Sequence, residues 1–248
     1  MNLEDRLKYA EMKARHENAL RPWYKKWWGI IILAIISLII IFLIASALYV
    51  TNKVKEINNG PSAEPNPAEV QTYLQKVNGD GTNYFLGTST PQVTIIEFGD
   101  FSCTHCKDSY PVVNQLAQTY KDKIKIVWRD YLINDGSIDL ALAARCAGEQ
   151  GQFWQMHDIL FDNQDALIIN NSERLGKLVA LAQQLKLNAE QFSTCLSGQK
   201  YLIQIKKDYD DANGLNISGT PTWFVNNYSF SGYVPLDKFT SLISGLIK

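Results

Sequence analysis

Residues 93–106 read Val93-Thr94-Ile95-Ile96-Glu97-Phe98-Gly99-Asp100-Phe101-Ser102-Cys103-Thr104-His105-Cys106. Four of the first six are β-branched and the run is mostly apolar, the pattern of a central strand buried on both faces. A glutamate inside such a run demands a reason. A short loop then leads into Cys-x-x-Cys, and a helix-like stretch follows to about Tyr120. Residues 124–132, IKIVWRDYL, read as a second strong strand. The order strand, Cys-x-x-Cys, helix, strand is a βαβ unit, so the sheet is at least partly parallel.

Working outward, Tyr84 to Leu86 is a short strand candidate, preceded by a turn at Asn78-Gly79-Asp80-Gly81 and a short helix capped by Asn66-Pro67 and running through Lys76. From Ser137 to about Asn213 every signal is helical. Ser137, Ser172 and Asn188 are candidate N-caps, and Leu175, Leu178, Val179, Ala182 and Leu185 recur at helical spacing. Thr222 to Val225 and Tyr228 to Phe230 form a hairpin across Asn226-Asn227, residues that tolerate φ > 0. Residues 235–247 close the sequence as an amphipathic helix.

Residues 29–50, GIIILAIISLIIIFLIASALYV, carry no charge. At 1.5 Å per residue these positions extend about 33 Å, enough to cross a hydrocarbon core of about 30 Å. Seven basic residues precede the span and only Lys53 and Lys55 closely follow it, which keeps the N-terminus cytoplasmic and exports the rest. Trp23, Tyr24, Trp27 and Trp28 fall where an interfacial aromatic belt belongs. Ala45-Ser46-Ala47 also resembles a cleavage site, so removal of the anchor after Ala47 is the competing expectation. Residues 1–28 are thus a cytoplasmic segment, 29–50 a transmembrane helix, 51–67 a Pro-containing tether, and 68–248 the exported domain.

Of 248 residues, 46% are hydrophobic and 20% charged, with a formal net charge of −1. Disordered and collagen-like chains are excluded, and no basic surplus argues for nucleic acid. All four cysteines, Cys103, Cys106, Cys146 and Cys195, lie beyond the apolar span. Outside the cytoplasm disulfides persist, so an even count invites pairing.

A Cys-x-x-Cys at a helix start joins two chemical requirements. The first thiol sits at the N-terminus, where free amides and the macrodipole favour a thiolate; the second lies a turn deeper, within reach of a small disulfide ring. Cys103 is therefore the attacking sulfur and Cys106 the resolving one, and His105 between them offers a positive or donating group that would lower the Cys103 pKa further. Half of a zinc site is the rival reading. It needs a second close-spaced pair, and Cys146 and Cys195 stand far apart while His16 lies across the span. Phe153, Trp154, Met156, His157 and Phe161 look like a cofactor box but read more simply as packing the insertion's core or lining its face of the groove.

EFGDFSCTHCKDSYP (97–111), with SGTPTWFVN (218–226) more than a hundred residues later, resembles the DsbA-like branch of the thioredoxin superfamily. The resemblance covers residues 83–248. It implies an α/β thioredoxin fold with an inserted helical domain at about 137–213, here preceded by one N-terminal transmembrane helix. It implies an exported thiol-disulfide oxidoreductase, most often a dithiol oxidase, that needs no organic cofactor and no metal. Reduced exported proteins would be its clients, and a quinone-linked membrane thiol oxidase would recycle it. Thr104 departs from the proline commoner at that position, which leaves the redox potential open. Glu97, six before Cys103, matches a buried acid that exchanges a proton with Cys106, and Pro111 matches a proline that kinks the helix. Thr220 and Pro221 match a cis-proline loop that meets the incoming peptide. Cys146 and Cys195 match a second, structural disulfide found in some members; two buried free thiols are the alternative. The rival functions are a reductase or isomerase, and a redox-inactive peptide-binding protein.

Overall fold

The computed structural model describes residues 8–13, 15, 16, 24, 27–58, 68, 71–73, 84–134, 136–168 and 171–247. The chain divides into two compact units, residues 1–61 and 62–248.

In the first unit, helix α1 (Trp27–Asn58) contains a 22-residue window, Ile30–Thr51, whose mean hydropathy of 3.2 makes it long and apolar enough to cross a membrane. The helix does not stop at Val50, and the first eight residues of the expected tether are helical. The reason is chemical: no glycine or proline interrupts the chain between Val50 and Gly60, so nothing breaks the helix at the edge of its apolar stretch. The expected cap at Asn66-Pro67 and the turn at 78–81 fall outside the described residues.

The second unit is a five-stranded sheet with helices on both faces. Its strands are β1 (Phe85–Gly87), β2 (Val93–Gly99), β3 (Ile124–Asp130), β4 (Thr222–Val225) and β5 (Tyr228–Ser231), in the order β1-β3-β2-β4-β5. Only the central β2 and β3 run parallel, with Val93 opposite Ile124 and Gly99 opposite Asp130. They are joined by α2 (Thr104–Thr119). Both strands are buried along their whole length, as their continuous apolar runs require. Gly99 ends β2 where the Trp128 ring leaves no room, because a Cβ there would stand 2.3 Å from Cη2 of that ring.

Helices α3 (Ser137–Gly148), α4 (Phe153–Asp162), α5 (Gln164–Ile168), α6 (Asn171–Gln184), α7 (Ala189–Ser197) and α8 (Leu202–Gly214) form the insertion between β3 and β4, and α9 (Leu236–Leu246) closes the chain. Asn188 caps α7, its side chain accepting from the Gln191 N–H at 2.9 Å. Ser137 does not cap α3. Gly136, at φ 82°, holds that position because the chain turns left-handed there, and Ser137 is the first helical residue. Asn226 turns the β4–β5 hairpin at φ 48°, and its side-chain oxygen accepts from the Thr94 N–H.

The core has three parts. Val93, Ile95, Ile126 and Trp223 meet α2 and α9 on one sheet face. Ile96, Phe98, Val127 and Phe224 meet Tyr73, Ala212 and Leu215 on the other. The third part fills the insertion and reaches Phe101, Cys106 and Trp128 beneath the Cys-x-x-Cys loop. There Phe101, Trp128, Trp154, Phe161 and the fully buried His157 pack ring against ring, so these aromatics are core.

Candidate active site

Strand β2 delivers the chain to the carboxyl end of the sheet, and α2 carries it away. Cys103 is the N-cap of α2 in extended conformation and is half-buried, while Cys106 is buried one turn in; both are free thiols. Cys106, Ser109, Val113 and Leu116 recur at helical spacing on the inner face. That periodicity turns the second sulfur into the core and leaves the first at the rim. Pro111 lies within α2 without ending it.

The loop between β2 and α2 is held from the strand side by Asp100. Its buried carboxylate accepts from the N–H groups of Ser102, Ile133 and Asn134 and from the Asn134 amide, all at 2.8–3.1 Å. Its backbone carbonyl accepts from the Cys103 N–H at 2.9 Å. From the insertion side, Nε2 of buried Gln164 donates to the carbonyls of Phe101 and Cys103, both at 2.9 Å. Lys107 pairs with Asp165 at 3.0 Å, Tyr110 donates to Asp162, and the Asn114 amide donates to Asp158.

The two sulfurs have unlike chemistry. The Cys103 thiol is lowered from 9.0 to about 5, first by the hydrogen bond from Cys106, then by the neighbouring Thr220 and the backbone N–H groups of Cys106 and His105, against opposition from burial. Cys106 is pushed well above its ordinary value, chiefly by burial and then by its bond to Cys103. Glu97 sits on β2 with the parity of Val93 and Ile95, the α2 side of the sheet, and is 1% exposed. Burial and then the Cys103 charge raise its carboxyl well above 4.5. Its Oε2 has no hydrogen-bond partner among the described residues. The raised pKa favours the protonated form of this carboxyl.

The Thr220-Pro221 peptide bond is cis, and the Cys103 thiol donates to the Thr220 carbonyl at 3.3 Å. The structure thus gathers Cys103, Cys106, Glu97, Thr220 and Pro221. The His105 ring is not gathered with them. It is largely exposed, 3.9 Å from the Asp108 carboxylate, and what His105 gives the sulfur is its backbone N–H. Cys146 and Cys195 are disulfide-bonded inside the insertion, linking α3 to α7. Sequence reasoning missed Asp100 and Gln164; the Gly-Asp step before the cysteines hinted at the first, and no local pattern marks the second.

A family model described as thioredoxin matches residues 79–244. The chain belongs to the thioredoxin family. Solved thioredoxin-fold neighbours include BdbD from Bacillus subtilis, 26% identical, covering 66% of this chain and 92% of that one with a TM-score of 0.57. Another is alpha-DsbA1 from Wolbachia pipientis, 22% identical, covering 67% and 91% with a TM-score of 0.60. The DsbA-like resemblance therefore extends to the fold and its helical insertion. A Rickettsia felis protein provisionally named a protein-disulfide oxidoreductase is 27% identical over 73% of this chain and 66% of its own length. A Salinispora arenicola protein named Na(+)/H(+) antiporter NhaA 1 is 32% identical over 65% of this chain. The chain spans only 24% of that antiporter's length.

Proposed function

We propose that this chain is a membrane-tethered thiol-disulfide oxidoreductase that donates the Cys103–Cys106 disulfide to proteins outside the cytoplasm. The observation that carries the reading is the inequality of the two sulfurs: a half-exposed thiol that favours the anion beside a buried one that favours the proton, near a buried acid. A client thiolate attacks the Cys103 sulfur, a mixed disulfide forms, the Cys103–Cys106 bond breaks, and Cys106 leaves as a thiolate that takes the Glu97 proton. A second client thiolate then attacks the client's sulfur in the mixed disulfide. The client's own disulfide closes, Cys103 leaves as a thiolate, and two electrons have passed from client to enzyme. The chemistry uses the cysteine pair alone, with no organic cofactor.

Stabilising the departing Cys103 anion favours the reduced enzyme and so makes the disulfide oxidising. For a thiol titrating near 5, ionisation contributes on the order of 30–60 mV at pH 7 after allowance for solvent screening at a half-exposed site. The Thr220-Pro221 backbone beside the sulfur supports docking of an extended client as an added strand. A quinone-linked oxidase in the same bilayer fits as the electron acceptor, since the apolar helix would hold the domain at the membrane.

Equilibration of the chain with glutathione buffers measures the midpoint of the Cys103–Cys106 couple. A value less negative than about −200 mV is expected; one near thioredoxin's, about −270 mV, overturns the oxidase assignment in favour of a reductase.

A further inference from the structure

We propose that Gln164 is the positioning residue of the redox loop: from the helical insertion its carboxamide fixes the backbone that sets the first amides of α2 against the Cys103 sulfur. The inference rests on the oxidoreductase reading above and deepens it, since it gives the insertion a part in the chemistry.

Three observations carry it. Gln164 is 1% exposed, where an apolar residue would be the cheaper occupant, so its amide is there for the bonds it makes. Both bonds go to the redox loop: Nε2 donates to the Phe101 carbonyl and to the Cys103 carbonyl, both at 2.9 Å. The Cys103 carbonyl also accepts from the Lys107 N–H at 3.1 Å, the opening hydrogen bond of α2. One carboxamide therefore grips the loop and the first turn together. Asp100 secures the donors of the same loop from the strand side, so its donors and acceptors are held from opposite elements.

The Cys103 anion is favoured by backbone N–H groups of His105 and Cys106, whose effect depends on where that first turn sits. Gln164 is neutral and adds no charge, so its influence on the sulfur is geometric. Loosening the loop lets those amides drift from the anion and costs the reduced state more than the oxidised one, in which the sulfur is uncharged.

The test compares Gln164→Met, equal in length but without donors, and Gln164→Asn, the same amide with a shorter reach, against Asp165→Asn. That last variant removes only the neighbouring exposed pair with Lys107. Full chain in detergent is followed by thiolate absorbance against pH, by glutathione equilibrium, and by thermal midpoints of both redox forms. Both Gln164 variants should raise the Cys103 titration midpoint by about one pH unit and make the couple less oxidising. Asp165→Asn should match the parent. If the Gln164 variants titrate and equilibrate like the parent while both redox forms lose equal thermal stability, Gln164 is a structural tie and the proposal fails alone. A parent whose Cys103 ionises like free cysteine overturns the oxidoreductase reading, and this proposal with it.

Discussion

In the proposed mechanism Glu97 is a residue that costs stability and returns it as chemistry. An acid in a continuous apolar strand run was visible in the sequence; strand alternation alone leaves either face open, so its burial was expected only through the DsbA-like resemblance, and the side chain is 1% exposed. The sign of its pH effect follows from the raised pKa. Below the ordinary carboxyl value of about 4.5, folded and unfolded chains both hold the proton and the raised pKa costs no stability. As pH rises through the raised folded value, the unfolded chain ionises first and folded stability is lost. Glu97→Gln keeps the shape and cannot ionise. Its denaturation midpoint should equal the parent's near pH 4 and exceed it at pH 8, while the single-turnover rate of disulfide opening falls by about tenfold or more for want of a proton donor to Cys106. A variant that is less stable at pH 8, or that reacts at the parent rate, would remove the proton-exchange role. His105 differs: its position between the cysteines suggested an electrostatic partner, whereas its ring lies largely exposed beside Asp108 and it is the backbone N–H that favours the sulfur anion.

Among elements, β2, α2, β3, the hairpin and α9 stand within a residue or two of where periodicity and turn residues put them, because each signal is local. What local signals cannot show is how the insertion is fastened to the sheet. Arg129 on β3 bonds Asp208 on α8 at 2.5 Å, Arg145 on α3 reaches both Asp208 and Asp130, and the Trp128 indole donates to Asp130 at 2.8 Å. All four charged residues are buried, and their partners lie as many as 79 positions apart in sequence, beyond the reach of any motif. Two cations and two carboxylates balance, so the group is tolerable only while complete. Asp208→Asn leaves two guanidinium groups sharing one buried carboxylate and should cost about 3–5 kcal/mol. Urea denaturation would measure that loss, and burial should make it nearly indifferent to added salt. A loss below about 1 kcal/mol would mean that the interface rests on its aromatic packing instead.

At the scale of the whole molecule, the apolar helix and the redox domain make sense together only if the sulfurs face an oxidising compartment. Cytosolic reductants would otherwise hold the pair as dithiol and leave nothing to donate. On the proposed reading, the basic residues crowded before the span would hold its N-terminus in the cytoplasm and put everything after it outside. Cys103 is well suited to report this, being half-exposed and anionic at neutral pH, whereas Cys106 is buried and the other two cysteines are bonded. In intact cells treated briefly with a mild reductant, a membrane-impermeant maleimide should therefore modify the chain at one position without permeabilisation, and Cys103→Ser should abolish the signal. Labelling that appears only once the membrane is opened would put the domain on the cytoplasmic side. There the same low-pKa sulfur would have no oxidant to draw on and no exported client to meet.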